Sequence, residues 1–283
     1  MDRNTHRAIS IYQVDAFTNE AFTGNPAAVC ILQSALPDEL MQKIASEMNL
    51  SETAFVHSLD RNHLQEARTF SLRWFTPEVE VPLCGHATLA TAVVLFRKVN
   101  LKANEIQFKT ESGTLTARED KNGIRLNFPS DTPTGIDPPR PLLEAIGARE
   151  LSDIQYGKQT RSLLVRLPSE KAVHNLTPDY ELMKSVSTES EIRGVIVTAE
   201  GSPPYDFISR FFAPWVGINE DPVTGAAHTV LAPYWSKRLG KEEMKAHQVS
   251  TRGGELSVKV KPNNTVDLVG NAVIVLEGKL YLR

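Results

Sequence analysis

The sequence predicts an α+β protein built from two pseudo-symmetric halves, each a curved, mostly antiparallel sheet around one central helix. Two observations predict this fold. Several segments of the first half return in the same order in the second half, at offsets close to half the chain length. Each half also contains an apolar segment that begins at a glycine, and the first of these has almost no polar face. A helix that is apolar all round must be covered on every side, which strands wrapped around it would achieve.

The duplication rests on four pairs of segments. The clearest pair is RWFTP at residues 73–77 and RFFAP at residues 210–214, an offset of 137. The other pairs have offsets of 140, 141 and 141: CGHA at 84–87 with TGAA at 224–227, SGTLT at 112–116 with GGELS at 253–257, and PDELM at 37–41 with PDYELM at 178–183. A constant order at a nearly constant offset indicates an ancient internal repeat. On an offset of 141, Glu52 falls opposite Arg193.

Both halves are predicted to begin in the same way. A strand rich in aliphatic residues leads in at 9–15 and again at 162–167. An amphipathic helix then follows Pro37, and residues 177–178 mark the start of its counterpart.

The buried helix and its surrounding strands come next. Strands at 52–56 and 70–75 precede a helix predicted from about Gly85 to Arg97. Its second copy begins at Gly225 and contains Pro233, which predicts a kink or a short first segment because proline cannot donate a backbone hydrogen bond. Antiparallel strands at 254–260 and 266–269, with a turn at Asn263 and Asn264, complete the second sheet.

The domain boundary is predicted within residues 129–141. This stretch holds five prolines: Pro129, Pro133, Pro138, Pro139 and Pro141. Because proline restricts the backbone and removes a donor, the stretch is interpreted as a linker. It separates a first half at 1–128 from a second half at 142–283. The last strand of the chain could also pair with the sheet of the first half.

Composition excludes several classes of function. The net charge of −3 comes from 31 basic and 34 acidic residues without long blocks of one sign, so neither nucleic acid nor an anionic membrane is an expected partner. No apolar run is long enough to span a bilayer. The polar residues 1–7 lead straight into a strand, so no signal peptide is expected. Two cysteines are too few for a disulfide framework or a metal site, and we expect a cytoplasmic protein.

The two glycine-started helices point to an anion site. A helix start presents unpaired N–H groups and the positive end of the helix dipole. If Gly85 and Gly225 are related by a pseudo-two-fold axis, their helix starts could face each other across the domain boundary and hold a carboxylate or a developing enolate. The alternative is that both glycines allow close packing of helix against strand.

The polar side chains next to the two glycines differ between the halves. Cys84 and His86 flank the first glycine, whereas Thr224 and Ala226 flank the second. Asp221 precedes the second glycine and has no counterpart in the first half. Such asymmetry suits one asymmetric substrate.

Each candidate residue also has a structural interpretation. Glu52 could be a solvated carboxylate at a strand start, His86 a packed histidine, and Asp221 a turn or N-cap residue. Cys84 and Cys30 could be small buried side chains. His228 fits either kind of role.

Several motifs together resemble the PhzF family of phenazine biosynthesis-like domain-containing proteins, within the diaminopimelate-epimerase-like superfamily. They extend over almost the whole chain: FTGNPAAV at 22–29, LSETAF at 50–55, RWFTP at 73–77, CGHAT at 84–88, FAPWVG at 212–217, EDPVTG at 220–225 and RGGEL at 252–256. The resemblance implies the same two-domain fold that the repeat predicts. It also implies a proton-moving isomerase that needs no cofactor and no metal.

The resemblance assigns roles to particular residues. Glu52 matches the glutamate that shuttles a proton between substrate carbons, so it is implied to be the general acid and base. His86 and Asp221 match positions that contact the substrate, and the amides around Gly85 and Gly225 match its carboxylate site. Asn25 is implied to contact the substrate as well. Homodimers are common among these relatives, and no motif in the sequence specifies another protein partner.

The chain departs from its relatives at one position. Several of them carry serine where this chain has Ala226, so one hydroxyl contact to substrate is missing. The distant epimerases of the superfamily use two cysteines as paired acid and base, whereas this chain has Cys84 opposite Thr224. A two-thiol mechanism is therefore excluded.

The sequence thus supports isomerisation of a small carboxylate-bearing substrate in a cleft between the halves, with Glu52 carrying the proton. One alternative is a binding or interaction protein on the same fold with little or no turnover, which the missing hydroxyl at Ala226 favours. Another is an amino-acid epimerase in which Cys84 works opposite Glu52.

Overall fold

The computed structural model describes residues 7–60, 63–137, 139–186 and 191–282. Pro138 of the predicted linker and residues 1–6, on which the expectation of no signal peptide rests, lie outside the described residues. Within the described chain, no helix combines the length and the apolar character needed to cross a membrane.

The chain forms two compact units. The first contains the described residues up to Asn127 and those from Val269 onward, and the second runs from Phe128 to Leu268. The predicted linker at 129–141 therefore lies in the second unit, where residues 134–135 form a short strand and Arg140 begins a helix. The last strand of the chain lies in the first unit, as the sequence prediction allowed.

The boundaries fall inside two strands, Gly123–Pro129 and Thr265–Gly270, and each is assigned to the unit that holds most of its residues. On this basis the first unit contains nine strands and two helices among its described residues. Its strands are β1 (Arg7–Ala16), β2 (Asn25–Ile31), β3 (Glu52–Ser58), β4 (Thr69–Phe75), β5 (Glu80–Val81), β6 (Glu105–Thr110), β7 (Gly113–Asp120), β8 (Gly123–Pro129) and β18 (Ala272–Leu282). Its helices are α1 (Asp38–Met48) and α2 (Gly85–Arg97), with one 3₁₀ turn at Leu64–Glu66.

Helix α2 is the core of the first unit. Its eleven residues from His86 to Phe96 are all buried. It packs against β1, β2, β3, β7 and β18, so strands surround it as the apolar pattern predicted. Each Leu, Val or Phe side chain buried here stabilises the unit by roughly 1.5–3 kcal/mol.

The second unit also contains nine strands among its described residues, together with four helices. Its strands are β9 (Thr134–Gly135), β10 (Asp153–Gly157), β11 (Ser162–Arg166), β12 (Gly194–Glu200), β13 (Phe207–Ala213), β14 (Ile218–Asp221), β15 (Glu243–Gln248), β16 (Gly254–Lys261) and β17 (Thr265–Gly270). Its helices are α3 (Arg140–Ala145), α4 (Glu170–His174), α5 (Tyr180–Ser185) and α6 (Gly225–Leu239), with one 3₁₀ turn at Pro214–Val216.

Strand pairing confirms the internal duplication. In the first unit β2 pairs parallel with β3, β3 antiparallel with β4, β4 parallel with β6, and β6 antiparallel with β7. In the second unit β11, β12, β13, β15 and β16 pair in the same order and with the same directions. The counterpart of the lead-in strand β1 is β10, so the prediction that residues 162–167 play that part is wrong; β11 corresponds to β2.

The strand register corrects one predicted equivalence. Thr53 pairs with Phe75 in the first unit, and Val195 pairs with Phe212 in the second. Glu52 therefore corresponds to Gly194 and not to Arg193, because the segments between the preceding strand and this one differ in length. A Cβ atom added at Gly194 would lie 2.3 Å from Cζ of Phe211, so an aromatic ring fills the space next to this glycine.

Helix α6 continues through Pro233 without a break, so the predicted short first segment is wrong. Proline removes the N–H that would bond to the carbonyl of Thr229, four residues earlier. That carbonyl instead accepts a hydrogen bond of 3.1 Å from the backbone N–H of Asp131. A partner distant in sequence thus satisfies the group that proline leaves unpaired.

An equivalent ion pair braces each unit. Arg73 donates two hydrogen bonds of 2.6 Å to Glu80 and lies over the ring of Phe75. Arg210 donates to Glu220 over 2.7 and 2.9 Å and lies over the ring of Phe212. The shared Arg-x-Phe pattern on β4 and β13 explains why these segments are the clearest repeat in the sequence.

Candidate active site

Polar side chains converge at one end of α2 because of how the first unit is built. Asn25 is the first residue of β2 and Glu52 is the first residue of β3. These strands are parallel, so both residues lie at the same edge of the sheet. Helix α2 starts at this edge, with Cys84 as its N-cap residue and His86 in its first turn.

The imidazole of His86 lies at the centre of this group. Its Nε2 atom is 3.1 Å from Oε2 of Glu52. Its Nδ1 atom is 3.2 Å from the amide nitrogen of Asn25 and 3.5 Å from the sulfur of Cys84. The hydroxyl of Ser51 donates to the amide oxygen of Asn25 over 3.4 Å and so orients that amide.

All four side chains are shielded from solvent. The exposed fraction is 9% for Glu52, 5% for His86, 6% for Cys84 and 0% for Asn25. Glu52 is therefore not a solvated carboxylate at a strand start. Oε2 of Glu52 and Nε2 of His86 are close, yet neither makes an aligned hydrogen bond among the described residues. Two buried polar atoms thus keep hydrogen-bonding capacity that a ligand could use.

The hydrogen bonds indicate where the imidazole proton lies. With the Asn25 amide oriented by Ser51, Nδ1 of His86 accepts a hydrogen bond, so a neutral ring carries its proton on Nε2, facing Glu52. Burial opposes a charged ring, but the adjacent Cys84 and Glu52 raise the pKa of His86 well above its ordinary value. Burial and Glu52 together raise the pKa of the Cys84 thiol, which keeps the thiol neutral. The negative charge next to His86 is therefore that of the Glu52 carboxylate.

The start of α2 adds a positive electrostatic end to this group. No side chain makes a capping hydrogen bond at this helix start, so the first-turn N–H groups lack partners within the helix. Gly85 itself is half-buried. A negative charge at this position, whether a substrate carboxylate or a developing enolate, would be stabilised by these groups.

Within the described chain, three of these four side chains form the one group that could hold a metal ion. Glu52, Cys84 and His86 each offer one ligand atom, and these atoms lie within 4.8 Å of one another. The thiol, however, lies on the Nδ1 side of the ring and the carboxylate on the Nε2 side. The prediction of a metal-free site stays a prediction.

In the second unit, the start of α6 is surrounded by a closed hydrogen-bond network. The hydroxyl of Thr224 donates to Asp221 over 2.5 Å. The amide of Gln248 donates to the backbone oxygen of Asp221 over 2.7 Å, and its oxygen accepts from the N–H of Thr224 over 2.9 Å. Asp221 and Gly225 are buried, whereas Ala226 is exposed. Thr224 is the N-cap residue here, so Asp221 does not have that role.

His228 lies one turn into α6 and is fully buried. Its Nδ1–H donates to the carbonyl of Thr224 over 2.8 Å, which leaves Nε2 as a bare acceptor. Burial lowers the pKa of His228 to about 4, so the ring is neutral at physiological pH. This favours the structural interpretation of this residue.

The predicted site residues fall into two groups. Asn25, Glu52, Gly85 and His86 meet at the start of α2, whereas Asp221, Gly225 and Ala226 lie at the start of α6. The prediction that the two groups share one cleft stays a prediction. Sequence reasoning missed Ser51 and Gln248 as orienting residues. Ser51 could have been found, since it directly precedes Glu52, but Gln248 carries no local signal.

Comparison with solved structures identifies the class of fold. A PhzF-family protein of Enterococcus faecalis aligns with a TM-score of 0.89 at 42% identity, covering 98% of this chain and 100% of that one. A hydroxyproline epimerase of Agrobacterium vitis aligns with a TM-score of 0.57 at 12% identity, covering 100% of this chain and 94% of that one, and so shares the fold. The molecule is therefore a two-domain α+β protein of the epimerase-like fold.

Sequence comparison identifies the family. Residues 14–278 match the family model described as phenazine biosynthesis-like protein, PhzC-PhzF. The chain is 49% identical to the mouse phenazine biosynthesis-like domain-containing protein 1, over 96% of this chain and 99% of that one. It is 46% identical to a protein of Halalkalibacterium halodurans named uncharacterized isomerase, over 96% and 98% of the two chains. The chain belongs to the phenazine biosynthesis-like PhzC-PhzF family.

Proposed function

We propose that this protein is an isomerase that moves a carbon-bound proton on a small carboxylate-bearing substrate, with Glu52 as the proton carrier. The observation that carries the proposal is the buried Glu52 carboxyl, whose Oε2 atom lies 3.1 Å from His86 and makes no aligned hydrogen bond within the described chain. Two relatives named uncharacterized isomerase, one from Halalkalibacterium halodurans and one from Pseudomonas aeruginosa, support the same class of reaction.

The environment of Glu52 suits a group that both takes and returns a proton. A carboxylate held by a Lys or Arg is a poor base, because the ion pair stabilises its charged form. Among the described residues, the one ionic partner within 4 Å of Glu52 is His86. The imidazole can move its Nε2 proton toward or away from the carboxylate as the charge of Glu52 changes through the cycle.

The chemical step balances without a redox partner. Glu52 removes a proton from a substrate carbon and becomes a carboxylic acid, and the electron pair of the C–H bond spreads into the unsaturated carboxylate as an enolate. The N–H groups at the start of α2 stabilise that negative charge. The O–H of Glu52 then returns the proton to a different carbon, which leaves the substrate isomerised and the enzyme unchanged.

The assignments of Asp221, Gly225, Ala226 and Asn25 to substrate binding are part of the proposal. Asn25 has the most direct support, since its amide already contacts His86 and could turn toward a ligand.

Deuterium exchange tests the role of Glu52. The protein is incubated in deuterated water with a panel of cyclic and acyclic unsaturated carboxylates, and carbon-bound deuterium is measured by mass spectrometry and NMR. Wild type is expected to exchange deuterium into at least one compound, and Glu52→Gln is expected to lower that rate by roughly 10²–10⁴-fold, the usual contribution of a general acid or base. Glu47→Gln, an exposed carboxylate on α1, is the matched control and is expected to retain full activity.

The same experiment separates this proposal from a non-catalytic binding protein, the alternative that the exposed methyl group of Ala226 favours. Binding of a carboxylate without exchange across the whole panel would support the alternative. Exchange that survives in Glu52→Gln would remove Glu52 from the mechanism.

A further inference from the structure

The second unit has a surface pocket beside the C-terminal half of α6. The pocket has a volume of about 690 Å³, within the size range of small-molecule sites. Its wall includes Arg166, Glu200, Pro233, Trp235 and Lys237. Pro233 lies eight residues along α6 from Gly225, roughly 12 Å at 1.5 Å per residue, so this pocket is separate from the start of the helix.

The charges that line the pocket are mostly positive. The lining contains Arg166, Lys237 and Arg238 but one acidic residue, Glu200. Arg238 is already neutralised, since it forms an ion pair with Asp153. Asp153 also accepts a hydrogen bond of 2.9 Å from the hydroxyl of Tyr234, on the oxygen Oδ2 that Arg238 contacts. Two cations, Arg166 and Lys237, therefore remain to meet a ligand.

Arg166 is held in place but lacks a partner for its charge. Its guanidinium lies 5.5 Å above the ring of Trp235, which is itself fixed by a 2.9 Å hydrogen bond to Thr198 and by stacking on Phe207. The Nε–H of Arg166 is buried with no hydrogen-bond partner, and Arg166 forms no ion pair among the described residues. A buried charged donor without an acceptor is costly, so a negative charge next to this guanidinium would offset part of that cost and bind favourably.

We propose that this pocket binds a small organic monocarboxylate. Its carboxylate accepts hydrogen bonds from Arg166, and its planar or apolar body lies along the wall formed by Pro233 and the edges of Tyr234 and Trp235. Lys237 adds positive charge at the exposed rim. Glu200, the acidic residue of the lining, repels a second negative group, which makes a single charge the preferred ligand charge.

Titration of isotope-labelled protein with benzoate tests the proposal. The reporter is the Nε–H resonance of Arg166 in ¹⁵N-labelled protein, identified by its loss in Arg166→Lys. Benzoate is expected to shift this resonance saturably, and sodium chloride at equal ionic strength is expected to leave it in place. An unmoved Arg166 resonance at millimolar benzoate would overturn the proposal.

Variants test the contribution of each charge. Arg166→Gln is expected to weaken benzoate binding at least tenfold, whereas Arg193→Gln, an exposed arginine in the same unit, is the control and should bind as wild type does. Equal weakening in both variants would contradict a specific site. If Arg166→Gln fails to fold, Glu200→Gln provides the test. This variant is expected to bind succinate, a dicarboxylate, more tightly than wild type does. An unchanged affinity for succinate would count against the proposal.

This site is independent of the proposed isomerase activity. In Glu52→Gln the Arg166 resonance is expected to respond to benzoate as it does in wild type. The two proposals can therefore fail separately.

Discussion

The two units share one scaffold but differ at the starts of their central helices. At the start of α2, buried Glu52 and His86 have polar atoms that lack aligned hydrogen bonds. At the start of α6, Asp221, Thr224 and Gln248 bond to one another in a closed network. Glycine replaces Glu52 at the equivalent strand position, Gly194.

This difference shows which features of the site come from the duplicated fold and which come from particular residues. Both copies provide a helix start whose first N–H groups lack partners within the helix, since neither Cys84 nor Thr224 caps its helix with a side-chain hydrogen bond. One copy alone adds a buried carboxylate next to a histidine. If this is the source of activity, matched changes in the two copies should have unequal effects.

The largest inequality is expected for the two buried histidines near the helix starts, which are comparable but not equivalent positions, since His86 corresponds to Ala226. His86→Gln removes the charge partner 3.1 Å from Glu52, and we expect the deuterium-exchange rate to fall by roughly 10³-fold, or about 4 kcal/mol in activation free energy. His228→Gln should change that rate by less than about twofold, because His228 is neutral and bonded to its own helix. Equal losses in the two variants would show that both helix starts take part.

A second contrast is between buried His228 and exposed His174, and it concerns the loss of stability in acid. The pKa of His228 is lowered by burial to about 4, below the ordinary value of 6.5. The unfolded chain therefore takes up this proton first as the pH falls, and stability is lost between about pH 6.5 and pH 4. The full loss is about 3 kcal/mol.

Urea unfolding at several pH values measures this effect. His228→Gln is expected to flatten the pH dependence in that window, whereas His174→Gln, an exposed histidine in the same unit, should leave it as in wild type. An unchanged slope in His228→Gln would mean that other groups cause the acid sensitivity.

The equivalent ion pairs provide a third contrast. Side-chain exposure is 12% and 16% for Arg210 and Glu220, against 32% and 30% for Arg73 and Glu80. Removing one partner of a buried pair leaves an uncompensated charge, so Glu220→Gln should cost about 2 kcal/mol more unfolding free energy than Glu80→Gln. The two variants can be compared by urea unfolding at neutral pH, and equal losses would show that exposure does not set the strength of this pair.

The smallest effect is expected for the thiol that is present in one copy. The raised pKa of Cys84 keeps it as a neutral thiol at pH 7, so it should not act as a base. Cys84→Ser is expected to lower the deuterium-exchange rate by less than about tenfold. A loss as large as that of Glu52→Gln would instead support the amino-acid epimerase interpretation.

Local sequence patterns predicted the parts of the fold that depend on neighbouring residues. Helix α2 was predicted from about Gly85 to Arg97 and is observed over that range, because its glycine start and uninterrupted apolar run are local signals. Asn25 and His86 were identified by motif, and the structure brings their side chains into contact.

Features that depend on distant partners could not be predicted in the same way. The continuity of α6 through Pro233 depends on the N–H of Asp131, far away in sequence. The equivalence of Glu52 with Gly194 needed the strand register, since intervening segments of unequal length shift any constant offset.

The ring of Phe211 next to Gly194 has a consequence for the history of this duplicated chain. Any side chain introduced at position 194 would bring its Cβ atom to 2.3 Å from that ring. A carboxylate matching Glu52 in the second copy therefore requires the ring of Phe211 to move or to be replaced. Steric hindrance by Phe211 thus opposes a second carboxylate at this position and helps to keep the two copies different.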